Sequence, residues 1–181
     1  MGLILKPGVS TPGYKEPNNR TLKGCKEGWE VMASTLTNLL YHIVFTTRKK
    51  HDLIVPVLSD ELYPYIGGII REEKGKLLKI GGTLDHVHLL ARFSASVSVS
   101  EMMRRVKGSS SKWVNENSKS ASHFKWQRGY GAFSVSESSV ENVVNYIENQ
   151  EEHHRKTTFE EEFLLLLQKH KISYDEKYIW D

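Results

Sequence analysis

Two phrases of this chain hold residue types able to do chemistry at a useful spacing. They are Asp85-His86-Val87-His88-Leu89-Leu90 and, about sixty residues on, Tyr146-Ile147-Glu148-Asn149-Gln150. The first lies in an apolar run that reads as a strand, where residues two apart project from the same face. His86 and His88 are therefore paired as metal chelators, and if Val87 and Leu89 enter a core, both imidazoles turn toward the open face of the sheet. Alone, His-x-His is a weak signal, because two histidines packed or hydrogen-bonded on a sheet satisfy it as well. In the second phrase helical periodicity sets Tyr146 and Gln150 one above the other. At about 100° per residue, Val140, Val143, Val144 and Ile147 form an apolar packing stripe, and Tyr146, Gln150 and His153 form a second stripe on its flank. The bland alternative is a boundary tyrosine with its ring packed and its hydroxyl wet.

The chemistry these groups suit is attack on a phosphodiester. A phenol with a pKa of about 10 is a poor nucleophile at neutral pH, and the anionic oxygens of the diester repel it. A divalent cation held by His86, His88 and Gln150 would withdraw charge from a non-bridging oxygen and let Tyr146 attack in line. His153 or His154 is an auxiliary candidate, as a substitute ligand or a phosphate contact. The product would be a phosphotyrosine link and a free hydroxyl, which keeps the bond energy and allows rejoining.

The elements that must position these groups can be read from periodicity. Tyr41 to Thr47 is β-branched and aromatic and reads as a strand, with Tyr41, Ile43 and Phe45 on one face. Leu62, Tyr65, Ile66, Ile69 and Ile70 predict a helix with Asp60 as N-cap and Gly75 as its stop. Residues 77–84 and 86–93 predict two antiparallel strands joined by a tight turn. Ser100 opens a second helix, with Met103, Val106, Trp113 and Val114 on one face and its cations on the other. A short strand over 131–136, a long helix over 137–155 and a last helix over 159–170 complete the order. Strand, helix, strand, strand, helix, strand is the split βαβ pattern, so the predicted fold is α+β, a ferredoxin-like βαββαβ sandwich with an antiparallel sheet and additional C-terminal helices.

The 181 residues, 39% of them hydrophobic, suffice for one packed domain. Residues 1–31 differ: they hold three of the five prolines and five of the thirteen glycines and lack a sustained hydrophobic period, so they read as an irregular, disordered arm. The domain is expected over 32–181. The apolar start Leu3-Ile4-Leu5 is too short for a signal peptide, and no run approaches the roughly 18 apolar residues of a membrane span. The single cysteine, Cys25, excludes an intrachain disulfide and a zinc-thiolate cluster and fits a cytoplasmic compartment. The net charge of +3 says little alone. Its placement says more: Arg48, Arg104, Arg105, Lys112 and Arg128 recur near Trp113, Trp126 and Tyr130, a mixture suited to single-stranded nucleic acid. Arg48, Arg104, Arg105, Lys112, Arg128 and Tyr130 are the candidate DNA contacts, with a solvated surface and a packed Trp126 as the plain alternative. Lys107-Gly108-Ser109-Ser110-Ser111-Lys112 lacks the second glycine of a phosphate loop, so no nucleotide cofactor is expected. His42 reads as a hydrogen-bonded sheet histidine. Glu151, Glu152, Glu160, Glu161 and Glu162 read as a solvated helix surface rather than a carboxylate metal site.

In sequence order, Tyr41-His42-Ile43-Val44-Phe45-Thr46-Thr47, the His86/His88 phrase, Trp126, Gly129-Tyr130-Gly131-Ala132-Phe133-Ser134-Val135-Ser136, Tyr146-Ile147-x-x-Gln150-x-x-His153-His154 and Tyr174-Asp175-Glu176-Lys177-Tyr178-Ile179-Trp180 stand together. This ordered set resembles the single-tyrosine HUH transposases of bacterial insertion sequences, the REP-associated tyrosine transposases especially, over residues 32–181. The resemblance implies a bacterial enzyme that cleaves and rejoins single-stranded DNA at hairpin ends. It implies Mg²⁺ or Mn²⁺ at His86 and His88, completed by Gln150, and a 5′-phosphotyrosine link at Tyr146. It also implies a homodimer in which the tyrosine acts in cis or in trans. Two other readings stay open: a non-catalytic single-strand-binding module of the same fold, and a related HUH nuclease of rolling-circle replication or conjugation.

Overall fold

A computed structural model describes residues 36–117, 123–175 and 179–180. The expected arm over 1–31 lies outside the described residues, as do Glu176, Lys177 and Tyr178 of the closing phrase. From Leu36 onward the chain forms one compact unit. Its strands are β1 (Leu39–Thr46), β2 (Lys76–Gly82), β3 (His86–Phe93) and β4 (Gly131–Ser134), and its helices α1 (Pro56–Glu72), α2 (Val99–Asn117), α3 (Val140–Glu148), α4 (Gln150–His153) and α5 (Phe159–Lys169).

The sheet runs β2-β3-β1-β4 with every neighbour antiparallel, as the βαββαβ reading requires. β1 and β3, the two most apolar strands, take the centre, with Val44 opposite His88 and Thr46 opposite His86. Alternation then divides the molecule into layers. Ile43, Phe45, Val87 and Leu89 enter the main core, where α1 contributes Leu62, Ile66 and Ile70 and α2 contributes Met102, Met103 and Val106. The opposite face carries His42, Val44, His86 and His88, and Val44 joins Phe133, Phe159 and Leu167 in a smaller core beneath α5. Trp126 belongs to the main core, its indole N–H donating to Ser110 Oγ at 2.8 Å.

Two helix boundaries depart from the sequence reading. α1 begins at Pro56, four residues before Asp60, which is not its N-cap. Val55 is extended and Pro56 occupies the first helical position, where a missing N–H costs nothing and φ is already set. The helix expected to run unbroken over 137–155 is instead a 3₁₀ turn over Glu137–Ser139, then α3, then α4, divided at Asn149 (φ −97°, ψ 19°). At the break Asn149 bonds Asn145 O twice, its backbone N–H donating at 3.2 Å and its carboxamide at 2.7 Å.

α3 lies close on β2. A Cβ at Gly81 would stand 2.9 Å from Ile147 O, so only glycine permits that approach. α5 starts from a capping box, Thr158 Oγ1 accepting from Glu161 N–H and the Glu161 carboxylate accepting from Thr158 N–H. Together α3, α4 and α5 roof the histidine face of the sheet.

Candidate active site

His86 and His88 face away from the main core, as alternation requires, yet that face is not open. They are 1% and 0% exposed, because the roof of C-terminal helices buries them. Glu162, expected on a solvated helix surface, stands instead at the centre of this roof. Glu162 is 2% exposed, whereas its neighbour Glu161 is exposed. The spacing Phe159, Glu162, Phe163, Leu166, Leu167 is helical, so Glu162 shares the packing stripe of α5 and is carried inward with it. That stripe was the available sign; the surrounding glutamates masked it.

Around Glu162 the structure gathers most of the expected site. The Tyr146 hydroxyl donates to Glu162 Oε1, and Gln150 Nε2 donates to the same oxygen at 3.0 Å. On Oε2, His88 Nε2 and His154 Nε2 each stand at 3.2 Å, and His86 Nε2 at 4.0 Å. His153 Nε2 is 3.8 Å from Oε1. Gln150 Oε1 lies 3.4 Å from His86 Nε2. The break at Asn149 leaves Tyr146 and Gln150 both reaching the same carboxylate.

A further shell orients the imidazoles. His86 Nδ1 donates to Asp85 Oδ1 at 2.7 Å, with Thr83 Oγ1 2.9 Å away and also donating to Asp85. His88 Nδ1 pairs with His42 Nε2 at 3.0 Å, so His42 is the hydrogen-bonded sheet histidine expected. Such carboxylate and imidazole partners fix the tautomer of a ligating histidine.

Electrostatics follow from the burial. Burial pushes the His88 imidazole down to about 4, with Glu162 opposing and His86 and His154 assisting. His42 falls to about 3 through burial and the neighbouring His88. For Glu162, burial acts upward but is outweighed by His88, Tyr146 and Gln150, which hold the carboxyl well below its usual range. Burial and the adjacent carboxylate push the Tyr146 phenol well above its ordinary value. Glu162 is thus an anion and Tyr146 a neutral donor.

This donor set fits a divalent cation. His86, His88, His154 and Glu162 offer ligand atoms within 4.8 Å of one another, and the buried His88 Nε2 has no hydrogen-bond partner among the described residues. A buried nitrogen beside a carboxylate suits ligation of a cation.

The other candidate contacts are dispersed. Arg104 and Arg105 sit on α2, in the layer across the sheet from the histidines, and pair with Glu101 and, for Arg105, also with Glu73. Lys112 on α2 is exposed, 3.8 Å from Glu116. Arg128 and Tyr130, by contrast, line a cavity of about 310 Å³ with Lys49, Lys50 and Trp180, and Phe159 lines this cavity and packs on the His86 ring, centroids 4.8 Å apart. Arg48 is exposed just before it. A second cavity, about 710 Å³, opens on Tyr146 between β4, α3 and α5, with Asn142, Lys169 and His170 in its walls.

The sheet is ferredoxin-like in order, and its paired histidines His86 and His88 meet Tyr146 of α3 around Glu162. Residues 35–150 match the family model described as IS200-like transposase, and the chain belongs to that family. It is 23% identical over 119 residues to the ISDra2 transposase TnpA of Deinococcus radiodurans, covering 63% of this chain and 85% of that one. Two solved structures share the fold, each with a TM-score of 0.53 over 70% of this chain. One, assigned as a transposase of Deinococcus radiodurans, is 24% identical and covered to 98%; the other, a REP-associated tyrosine transposase bound to a REP hairpin, is 12% identical and covered to 74%. Among the described residues no helix is long and apolar enough to cross a membrane.

Proposed function

We propose that this transposase cleaves and rejoins single-stranded DNA at hairpin ends through a 5′-phosphotyrosine at Tyr146, with His86, His88 and Gln150 at a divalent cation, Mg²⁺ or Mn²⁺. The observation that carries this reading is the meeting of Tyr146 with the buried histidine pair around one carboxylate. Membership of a transposase family supports DNA strand transfer, and the hairpin bound by one structural relative supports that form of substrate. The catalytic domain spans 32–181 in this reading, and the protein acts as a bacterial cytoplasmic homodimer.

The residues' parts follow from their chemistry. Held by His86, His88 and Gln150, a divalent cation would supply positive charge for the non-bridging oxygens of the scissile phosphate. Asp85 and His42 keep the two imidazoles turned toward it. Tyr146 Oη forms the new bond to phosphorus as the P–O3′ bond breaks, and the phenolic proton, already donated to Glu162, is relayed through that carboxylate to the departing 3′ oxygen, which leaves as a hydroxyl. Rejoining reverses the same bonds. Arg128, Lys49 and Tyr130, at the cavity that Phe159 also lines, suit backbone and base contacts to the strand.

The test is a denaturing gel of labelled single-stranded hairpin DNA incubated with the protein and Mn²⁺. A slow-migrating covalent adduct is expected, dependent on metal and lost in Tyr146→Phe. An adduct of undiminished yield in Tyr146→Phe overturns the assignment.

A further inference from the structure

Two imidazoles, when neutral, turn bare lone pairs toward acceptor oxygens. His154 Nδ1 stands 2.9 Å from Thr157 O, and a carbonyl only accepts, so Nδ1 carries the proton. In a neutral ring Nε2 is then a bare lone pair, yet it faces Glu162 Oε2 at 3.2 Å. His86 repeats the pattern. Its Nδ1 donates to Asp85, and its Nε2 faces Gln150 Oε1 at 3.4 Å and Glu162 Oε2 at 4.0 Å, both acceptors. In neutral rings these lone pairs meet acceptor oxygens, an arrangement that a metal cation among them satisfies. His88 Nε2, fully buried and without a hydrogen-bond partner among the described residues, points to the same place.

We propose that His154 and Glu162 join His86 and His88 as protein ligands of the cation, and that this set selects a borderline transition ion such as Co²⁺ or Zn²⁺ over Mg²⁺. The inference rests on the preceding reading in one respect, that His86 and His88 bind a divalent cation, and revises it in two: His154 and Glu162 take the ligand place given there to Gln150, and Co²⁺ or Zn²⁺ takes the place of Mg²⁺. Gln150 then acts as a positioning residue, its amide holding Glu162 Oε1. The selectivity follows from the donors. Three imidazoles and one carboxylate suit ions of the later first row, whose affinity for nitrogen far exceeds that of Mg²⁺. Mg²⁺ favours oxygen ligands and gives up its water reluctantly, which a buried nitrogen-rich pocket requires.

Titrating the chelator-stripped full chain with Co²⁺ at pH 8, followed by visible absorption, tests this without reference to activity. One Co²⁺ per chain is expected, undisturbed by a large excess of Mg²⁺. His154→Ala and Glu162→Gln should each weaken Co²⁺ by at least about tenfold, and Gln150→Ala by less than about threefold. Should either of the first two fail to hold its fold by circular dichroism, His154→Gln and Glu162→Ala replace them. Wild-type affinity in the His154 and Glu162 variants, with loss in His86→Ala and Gln150→Ala, overturns this inference and leaves the preceding reading standing. Displacement of Co²⁺ by equimolar Mg²⁺ also overturns it. Unchanged binding in His86→Ala removes both.

Discussion

At the residue scale, the buried imidazoles of His42 and His88 make stability depend on pH. In the unfolded chain a histidine takes up its proton near pH 6.5. In the folded protein His88 does so only near 4 and His42 only near 3. Between those values the unfolded state binds more protons, so acid favours unfolding and stability rises with pH through that window. Glu162, held below its usual range, adds a loss of the same sign once pH falls below the ordinary carboxylate value. For the chelated protein at pH 5 the expected loss is about 1–2 kcal/mol for each imidazole. It is read as a falling thermal midpoint between pH 7 and 5; a flat midpoint there would contradict neutral burial. The sequence made the paired faces of His86 and His88 legible, since strand alternation alone decides them. Glu162 was not legible from its composition, because a run of three glutamates looks solvated until the phenylalanine and leucine spacing on α5 is given precedence.

At the element scale, the site depends on α3 lying close enough to β2 for Tyr146 to reach over the strands. Gly81 is the point of contact, with Ile147 O and Cγ2 at 2.9 and 3.0 Å from where a Cβ would stand. Gly81→Val should therefore lift α3, cost about 1–3 kcal/mol in a urea melt, and reduce adduct yield severalfold, because Tyr146 adjoins Ile147. Unchanged stability and yield would show that the close approach is dispensable. The strands and the existence of every long helix followed from hydrophobic period, because burial on one side imposes that period. The two misplaced boundaries have local causes. Asp60 looked like a cap, while the constraint that starts α1 is the fixed φ of Pro56. The division at Asn149 leaves the heptad-like spacing of Tyr146, Gln150 and His153 intact, so periodicity cannot reveal it.

At the scale of the whole molecule, one sheet separates two jobs. Its Ile43, Phe45, Val87 and Leu89 face packs against α1 and α2 and supplies the main core. Its histidine face carries a polar cluster that α3, α4 and α5 cover. Arg104, Arg105 and Lys112 fall in the first layer and Arg128 and Tyr130 in the second, a division that sequence proximity to the motifs could not show. The covering helices bring the nucleophile to the histidines, so the central claim concerns a single atom, Tyr146 Oη. Peptide mapping by mass spectrometry of the nuclease-trimmed protein–DNA adduct tests that claim most directly. The account predicts a nucleotide 5′-phosphate on the peptide containing Tyr146. A nucleotide on any other residue, or cleaved DNA bearing a free 5′-phosphate with no adduct at any time, would contradict it.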